Sequence, residues 1–213
     1  MLKLYHCPNA RSMRSLWLLY ELNIEFKLVE MPFDQKYTRS PEYLAVHPLG
    51  RVPCLEHNDI KLYESGAICQ YLCEVFDKDD NLGRSFGHDE HNEWLQWLHY
   101  AETIAVHGAS LVQQNIIIAE ELRSPVVIKL ESRRLEKSLE VLDNHLDNRN
   151  YLLKSGFSAV DTSVGYSIHM GSMFVDIKNY KNVLKYYNKI KNRKAFIKAL
   201  PKEIKDPLKN IEE

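Results

Sequence analysis

The hydrophobic periodicity of this chain changes near residue 77, and this change constrains the fold more than any other feature. Before it, short strand-like runs alternate with stretches of helical spacing; the runs cover residues 2–6, 24–29, 53–57 and 60–63. After it, apolar residues recur only at helical intervals, as at Leu135, Leu139, Leu142 and Leu146. We therefore predict an α/β first part and an all-α second part.

Residues 78–87 have no apolar periodicity and are rich in Asp, Asn, Ser and Gly, a composition typical of a linker. We predict an α/β domain over 1–77, this linker, and an all-helical domain over 88–213. Two helix starts are marked in the second domain. Ser124 precedes a proline, and Ser158 has Asp161 three residues later, as in a capping box.

Composition excludes several classes of function. The formal net charge is −1 with acids and bases interspersed, so we expect no nucleic-acid partner. No apolar run approaches the length of about 18 residues that a membrane helix needs, so we expect no membrane partner. Four irregularly spaced cysteines do not form a disulfide framework, which favours a reducing cytoplasm. His88 and His91 lack a third ligand, and we assign no metal.

Three points in the first domain carry polar groups. At residues 7–12 a strand turns into a helix, and a thiolate at a helix N-terminus is stabilised, which draws attention to Cys7 and Ser12. Pro53 opens a strand. Because only about 5–6% of X–Pro bonds in folded proteins are cis, the residue types alone predict a trans bond between Val52 and Pro53. Ser65 is expected to be the N-cap of a helix, which is either an anion site or an ordinary cap.

The segments "LYHCPNARSMRSLWLLYEL", "HPLGRVPCLE", "LYESGAICQYL", "WLHYAE" and "FSAVDTSVGY" resemble, in order and spacing, the cytosolic glutathione S-transferases. The chain is most similar to the bacterial and fungal branch, and the resemblance covers nearly its whole length. It implies a thioredoxin-like first domain, an all-α second domain and a homodimer. It also implies conjugation of glutathione, as co-substrate, to a small apolar electrophile, with no cofactor.

The resemblance implies a role for each matching residue. Pro53 would follow a cis bond and expose the Val52 backbone, which pairs with the cysteinyl part of glutathione. Glu64 and Ser65 would bind the γ-glutamyl amine and carboxylate. Arg51 would meet the glycyl carboxylate, with Lys36 or Arg39 as further candidates. Glu102 would reach glutathione bound to a partner subunit; a plain surface carboxylate is the alternative.

The glutathione sulfur needs a donor that favours its thiolate, and a pKa shift of roughly two units, about 2.7 kcal/mol, suffices. We prefer Ser12 for this role, with help from Asn9 and the helix end, and place Cys7 in the lining of the site. The chain departs from the pattern here, because Ala10-Arg11-Ser12 stands where relatives often read Ser-Arg-Ser.

Two alternative functions stay open. "CPNA" resembles the Cys-Pro-x-Ala turn of omega-type transferases, which makes Cys7 a candidate nucleophile for glutathione-dependent thiol transfer. Against this, a cysteine directly after an apolar strand is often buried and inert. The other alternative is a non-enzymatic interaction module that binds a protein such as RNA polymerase. Retention of Glu64, Ser65 and the Val52–Pro53 step argues against such a module.

Overall fold

A computed structural model describes residues 1–32 and 34–201. The chain forms two compact units. The first consists of Met1–Trp94 and Asn192–Pro201, and the second of Leu95–Lys191. The first unit combines a sheet with helices, and the second is built of helices, which confirms the predicted fold class of a thioredoxin-like α/β domain plus an all-α domain.

Within the described residues, the sheet of the first unit has four strands: β1 (Leu2–His6), β2 (Lys27–Glu30), β3 (Cys54–His57) and β4 (Ile60–Tyr63). They lie in the order β2-β1-β3-β4, with β1 parallel to β2 and β3 antiparallel to both its neighbours. β2 begins at Lys27, three residues later than predicted from apolar content. The reason is register, because the pairing with β1 opens at Lys3 opposite Lys27.

The helices of the first unit are α1 (Met13–Leu22), α2 (Gln35–Thr38), α3 (Pro41–Leu44), α4 (Ser65–Phe76) and, near the C-terminus, α9 (Lys194–Ala199). Most of the buried residues of α1 are apolar, among them Leu16, Trp17 and Leu19. It packs against β1, α4 and α9. The left-handed Asn23 ends α1 and turns the chain toward β2.

The segment predicted as a linker packs within the first unit. The Asp77 carboxylate accepts hydrogen bonds from the backbone N–H groups of Leu82 and Gly83 at 2.6 and 2.7 Å. The Trp94 indole N–H donates to the Leu82 carbonyl at 3.1 Å, and the side chain of Arg84 is buried. The Asp- and Gly-rich composition therefore reflects carboxylate-capped turns.

The last described helix also belongs to the first unit. The Arg193 guanidinium donates to both carboxylate oxygens of Glu21 on α1, each at 2.7 Å. Phe196 packs edge-on against Trp17 with ring centroids 4.8 Å apart. The compact units therefore differ from the predicted bounds of 1–77 and 88–213, because these contacts tie residues 192–201 to α1.

The second unit contains most of α5 (His91–Val112), together with α6 (Pro125–His145), α7 (Ala159–Gly171) and α8 (Lys181–Ile190). A π-helical turn at Gln113–Ile117 and 3-10 turns at Glu120–Leu122 and Ile177–Asn179 connect them. Both predicted helix starts are confirmed: Ser124 caps α6 and Ser158 caps α7.

The capping box of α7 is fully buried. Asp161 accepts hydrogen bonds from the Ser158 backbone N–H at 2.7 Å and from the Tyr186 hydroxyl at 2.8 Å. Burial raises the pKa of its carboxyl group to about 6, against the opposing effect of these hydrogen bonds. Across the described residues, no helix is both long and apolar enough to cross a membrane.

Candidate functional site

The sheet brings the three predicted polar points to one of its ends. β1 finishes at His6, β3 begins at Cys54 opposite Tyr5, and β4 finishes at Tyr63, again opposite Cys54. Adjacent strands lie about 4.8 Å apart. The turn at residues 7–12, the Val52–Pro53 step and the start of α4 therefore emerge side by side within the first unit.

The turn after β1 is closed by a backbone hydrogen bond from the Ala10 N–H to the Cys7 carbonyl at 3.2 Å. Asn9 adopts a positive φ of 59°, a conformation that asparagine tolerates better than most residues. Its side chain is exposed, whereas that of Cys7 is buried. Asn9 is thus the predicted sulfur donor that faces solvent at this end of the sheet.

Ser12 holds this turn together from inside. It is 0% exposed, its hydroxyl oxygen accepts from the Cys7 backbone N–H at 3.1 Å, and it lies 2.8 Å from His6 Nδ1. Burial lowers the pKa of His6 to about 4, so its imidazole is neutral near pH 7. The hydroxyl that we expected to activate glutathione therefore links the end of β1 to the start of α1.

Cys7 has the opposite electrostatic character from the one its sequence position suggested. Burial, with a smaller contribution from the Glu30 carboxylate, raises the pKa of its thiol to about 12. The prediction of a lowered pKa assumed that the thiol lies at a helix N-terminus. The helix begins only at Met13, and the thiol faces the interior, so desolvation dominates.

The Val52–Pro53 peptide bond is cis, as the resemblance implied and contrary to the expectation from the residues alone. The loop before it is fixed at two points. The Tyr43 hydroxyl donates to the Arg51 carbonyl at 2.7 Å. Gly50 has φ +58°, and a Cβ there would lie 2.2 Å from the Thr38 carbonyl oxygen, so only glycine fits.

The close approach of Thr38 and Gly50 has a consequence for charge. Arg39 and Arg51 directly follow these two residues, so their backbones are neighbours. Both side chains are exposed, as is that of Lys36 in α2. The backbones of Arg39 and Arg51 therefore lie close together in the first unit, and Lys36 precedes Arg39 by three residues in the sequence. Glu102 lies in α5, within the second unit, and is half-buried.

The start of α4 differs from its prediction by one residue. Glu64, exposed and with φ 79°, is the N-cap residue, and Ser65 is the first residue of the helix. Ser65 is only 2% exposed, and its hydroxyl oxygen accepts a hydrogen bond from Arg14 Nη1 at 3.0 Å. Ser65 opens the first turn of α4 and so lies at the positive end of the helix dipole.

Arg14 was missed by the reasoning from sequence. It lies in α1, is 2% exposed, and contacts a predicted ligand-binding residue 51 positions away. The signal available was an arginine between Met13 and Leu16, on a helix whose next four residues, 16–19, are all apolar. Among the residues that the structure describes, no group of three or more His, Cys, Asp or Glu side chains is arranged to hold a metal ion.

The chain is similar to known proteins over most of its length. Residues 1–74 match the family described as "Glutathione S-transferase, N-terminal domain". Glutathione S-transferase F10 of Arabidopsis thaliana is 30% identical over 206 residues, which cover 92% of this chain and 94% of that protein. Glutathione S-transferase 3 of Schizosaccharomyces pombe is 26% identical over 92% of this chain and 85% of its own length.

The fold has close counterparts among crystal structures. The glutathione transferase URE2P6 of Phanerochaete chrysosporium, in complex with oxidized glutathione, superposes with a TM-score of 0.83 at 23% identity. The match covers 93% of this chain and 94% of that one. The similar proteins come from plants as well as fungi, so membership of the bacterial and fungal branch stays a prediction.

Proposed function

Because the chain belongs to the glutathione S-transferase family, we propose that it conjugates the glutathione thiolate to small apolar electrophiles. The observation that carries this proposal is the convergence of three groups at one end of the sheet. They are the exposed Asn9, the Val52 backbone beside Pro53, and Ser65 at the start of α4. Together they offer a donor for a sulfur, a strand-like partner for a peptide, and an anion site.

Glutathione binds in this proposal through its main chain and its two ends. The Val52 N–H and C=O pair with the cysteinyl residue like a short added strand. The Ser65 hydroxyl and the first N–H groups of α4 hold the γ-glutamyl carboxylate, and Glu64 holds its amine. The glycyl carboxylate lies among Arg51, Arg39 and Lys36. Exposure of these three cations supports that assignment.

The sulfur is activated by Asn9 in this proposal. An amide N–H donates a stronger hydrogen bond to a thiolate than to the weakly accepting sulfur of a protonated thiol, so it lowers the thiol pKa. Exposure supports Asn9, whereas the Ser12 hydroxyl is buried and bonded to the turn. Ser12 therefore acts as a positioning residue. The raised pKa of Cys7 argues against the thiol-transfer alternative.

Substitution of Asn9 tests the assignment. We expect Asn9→Ala to lower kcat/KM for a model electrophile about 10- to 100-fold and to raise the pKa of enzyme-bound glutathione by at least about one unit. The pH dependence of thiolate absorbance in the complex measures that pKa. Asn9→Ser, which restores a donor, serves as the matched control. An unchanged thiol pKa in Asn9→Ala would overturn the role of Asn9.

Assembly and location belong to the same proposal. We place the protein in the cytoplasm as a homodimer in which Glu102 of one subunit reaches glutathione bound to the other. Four free, buried cysteines agree with a reducing compartment. Light scattering over a range of concentrations measures the subunit number. A monomer that still conjugates glutathione would remove Glu102 from the site while leaving the proposed chemistry intact.

A further inference from the structure

α1 carries a cation inside the first unit. Arg14 is 2% exposed, and an arginine side chain keeps its charge at any physiological pH. Burying a charge is costly unless neighbouring groups compensate for it. The position of this charge is therefore informative: Arg14 Nη1 donates to the Ser65 hydroxyl oxygen at 3.0 Å, immediately behind the start of α4.

We propose that Arg14 is a positioning residue for the γ-glutamyl carboxylate of glutathione and acts on it through Ser65. The inference rests on the proposed function. The Ser65 oxygen accepts a hydrogen bond from Arg14, and a hydroxyl has a single proton to donate. A chain of hydrogen bonds polarises its members, so the guanidinium makes the Ser65 hydroxyl a stronger donor toward a carboxylate.

Charge adds to this effect. Two successive hydrogen bonds of about 3 Å place a carboxylate bound by Ser65 within roughly 6 Å of the guanidinium. Both Arg14 and Ser65 are 2% exposed, so water screens the pair poorly. The positive end of α4 acts on the same carboxylate. Arg14 thus favours ligands that carry an anion at this position over otherwise equal ligands that lack it.

A purely structural role for Arg14, joining α1 to α4, makes a different prediction. In that case substitution of Arg14 would weaken the binding of every ligand of the site to the same extent, because the whole start of α4 would shift. A role through the carboxylate affects only ligands that possess that carboxylate. The test therefore compares glutathione with 4-aminobutyryl-cysteinylglycine, which is glutathione without the γ-glutamyl carboxylate.

The experiment measures KM and kcat for both thiols in the full chain and in Arg14→Gln. We expect Arg14→Gln to raise KM for glutathione about 10- to 100-fold, with kcat changed less than about threefold. KM for the analogue should change less than about twofold. Arg193→Gln is the matched control, because Arg193 also bonds to α1, at Glu21. It should lower thermal stability and leave the ratio of the two KM values unchanged.

Equal weakening of both thiols in Arg14→Gln overturns the proposal and assigns Arg14 a structural role. If Arg14→Gln does not fold, Arg14→Lys replaces it. A lysine keeps the positive charge but lacks the planar guanidinium group, so we expect KM to rise about 3- to 10-fold for glutathione and to stay unchanged for the analogue. An equal loss for both thiols again refutes the proposal. Failure of the unmodified protein to bind glutathione removes the proposed function itself and is visible before any variant is made.

Discussion

We expect Cys7 to be chemically inert in the folded protein, although it stands beside the proposed glutathione site. Its side chain is 2% exposed, and burial raises its thiol pKa from 9.0 to about 12. Each pKa unit changes the thiolate fraction about tenfold near neutral pH, so the folded chain holds about 1000-fold less thiolate here than an unperturbed cysteine would. Only the thiolate reacts with an alkylating reagent.

Timed alkylation with iodoacetamide at neutral pH, followed by mass spectrometry of the Cys7 peptide, measures this reactivity in native and urea-unfolded protein. We expect the native rate to be at least about 100-fold lower. Cys54, also buried and with its pKa raised by burial to about 11, is an internal control that should react slowly as well. A native Cys7 rate within about tenfold of the unfolded rate, or loss of conjugation in Cys7→Ala, would refute the reasoning.

The remaining predictions concern stability. Burial lowers the pKa of His6 from 6.5 to about 4 in the folded protein. Between these two pH values the unfolded chain binds a proton at His6 and the folded chain does not. The free energy of unfolding should therefore fall by up to about 3 kcal/mol as pH drops from 6.5 to about 4. Urea titrations of His6→Gln should lack this loss, and an equal loss in the variant would exclude His6 as its source. Gly50→Ala should lower the free energy of unfolding in urea by more than about 2 kcal/mol, because its Cβ would overlap a backbone carbonyl. Gly108→Ala is the control: its Cβ would enter open space, so the variant should be as stable as the unmodified protein or more stable. Equal losses in the two variants would contradict this. Asp161→Ala should lower the free energy of unfolding, measured by calorimetry, by about 3–5 kcal/mol, because the Tyr186 hydroxyl and two backbone N–H groups lose the acceptor they share. A loss below about 1 kcal/mol would contradict the stabilising role of the buried capping box.

Local patterns predicted much of the fold. β1 and β4 have the bounds that alternation and flanking turns indicated, and the Ser124 and Ser158 caps were visible as short motifs. β2 was misplaced at its start because its first residue is set by pairing with β1, which lies more than twenty positions earlier. A pattern within one segment does not contain that register.

The segment after α4 shows a second limit. Asp, Asn, Ser and Gly are frequent both in solvated linkers and in turns whose backbone is capped by carboxylates. Asp77 could have served either arrangement until its hydrogen bonds to Leu82 and Gly83 were known. Similarly, nothing near Arg193 in the chain indicates that its partner is Glu21, 172 positions away.

The candidate site was predictable in its location and less so in its chemistry. The resemblance pointed to the Val52–Pro53 step and to Ser65, and the sheet brings both to the same end. The pKa of the Cys7 thiol is set mainly by burial, so its position shortly before a helix in the sequence wrongly suggested a lowered pKa. The contact between Arg14 and Ser65 joins two helices and likewise has no local signature.

Calorimetric titration of the unmodified protein with glutathione tests the central claim most directly. The first unit, with the Val52 backbone, Ser65 and Asn9 at one end of its sheet, should bind one glutathione per chain with a Kd at or below about 1 mM. Ser65→Ala should weaken that binding. Absence of a binding heat at millimolar glutathione would contradict the claim and favour a non-enzymatic interaction module.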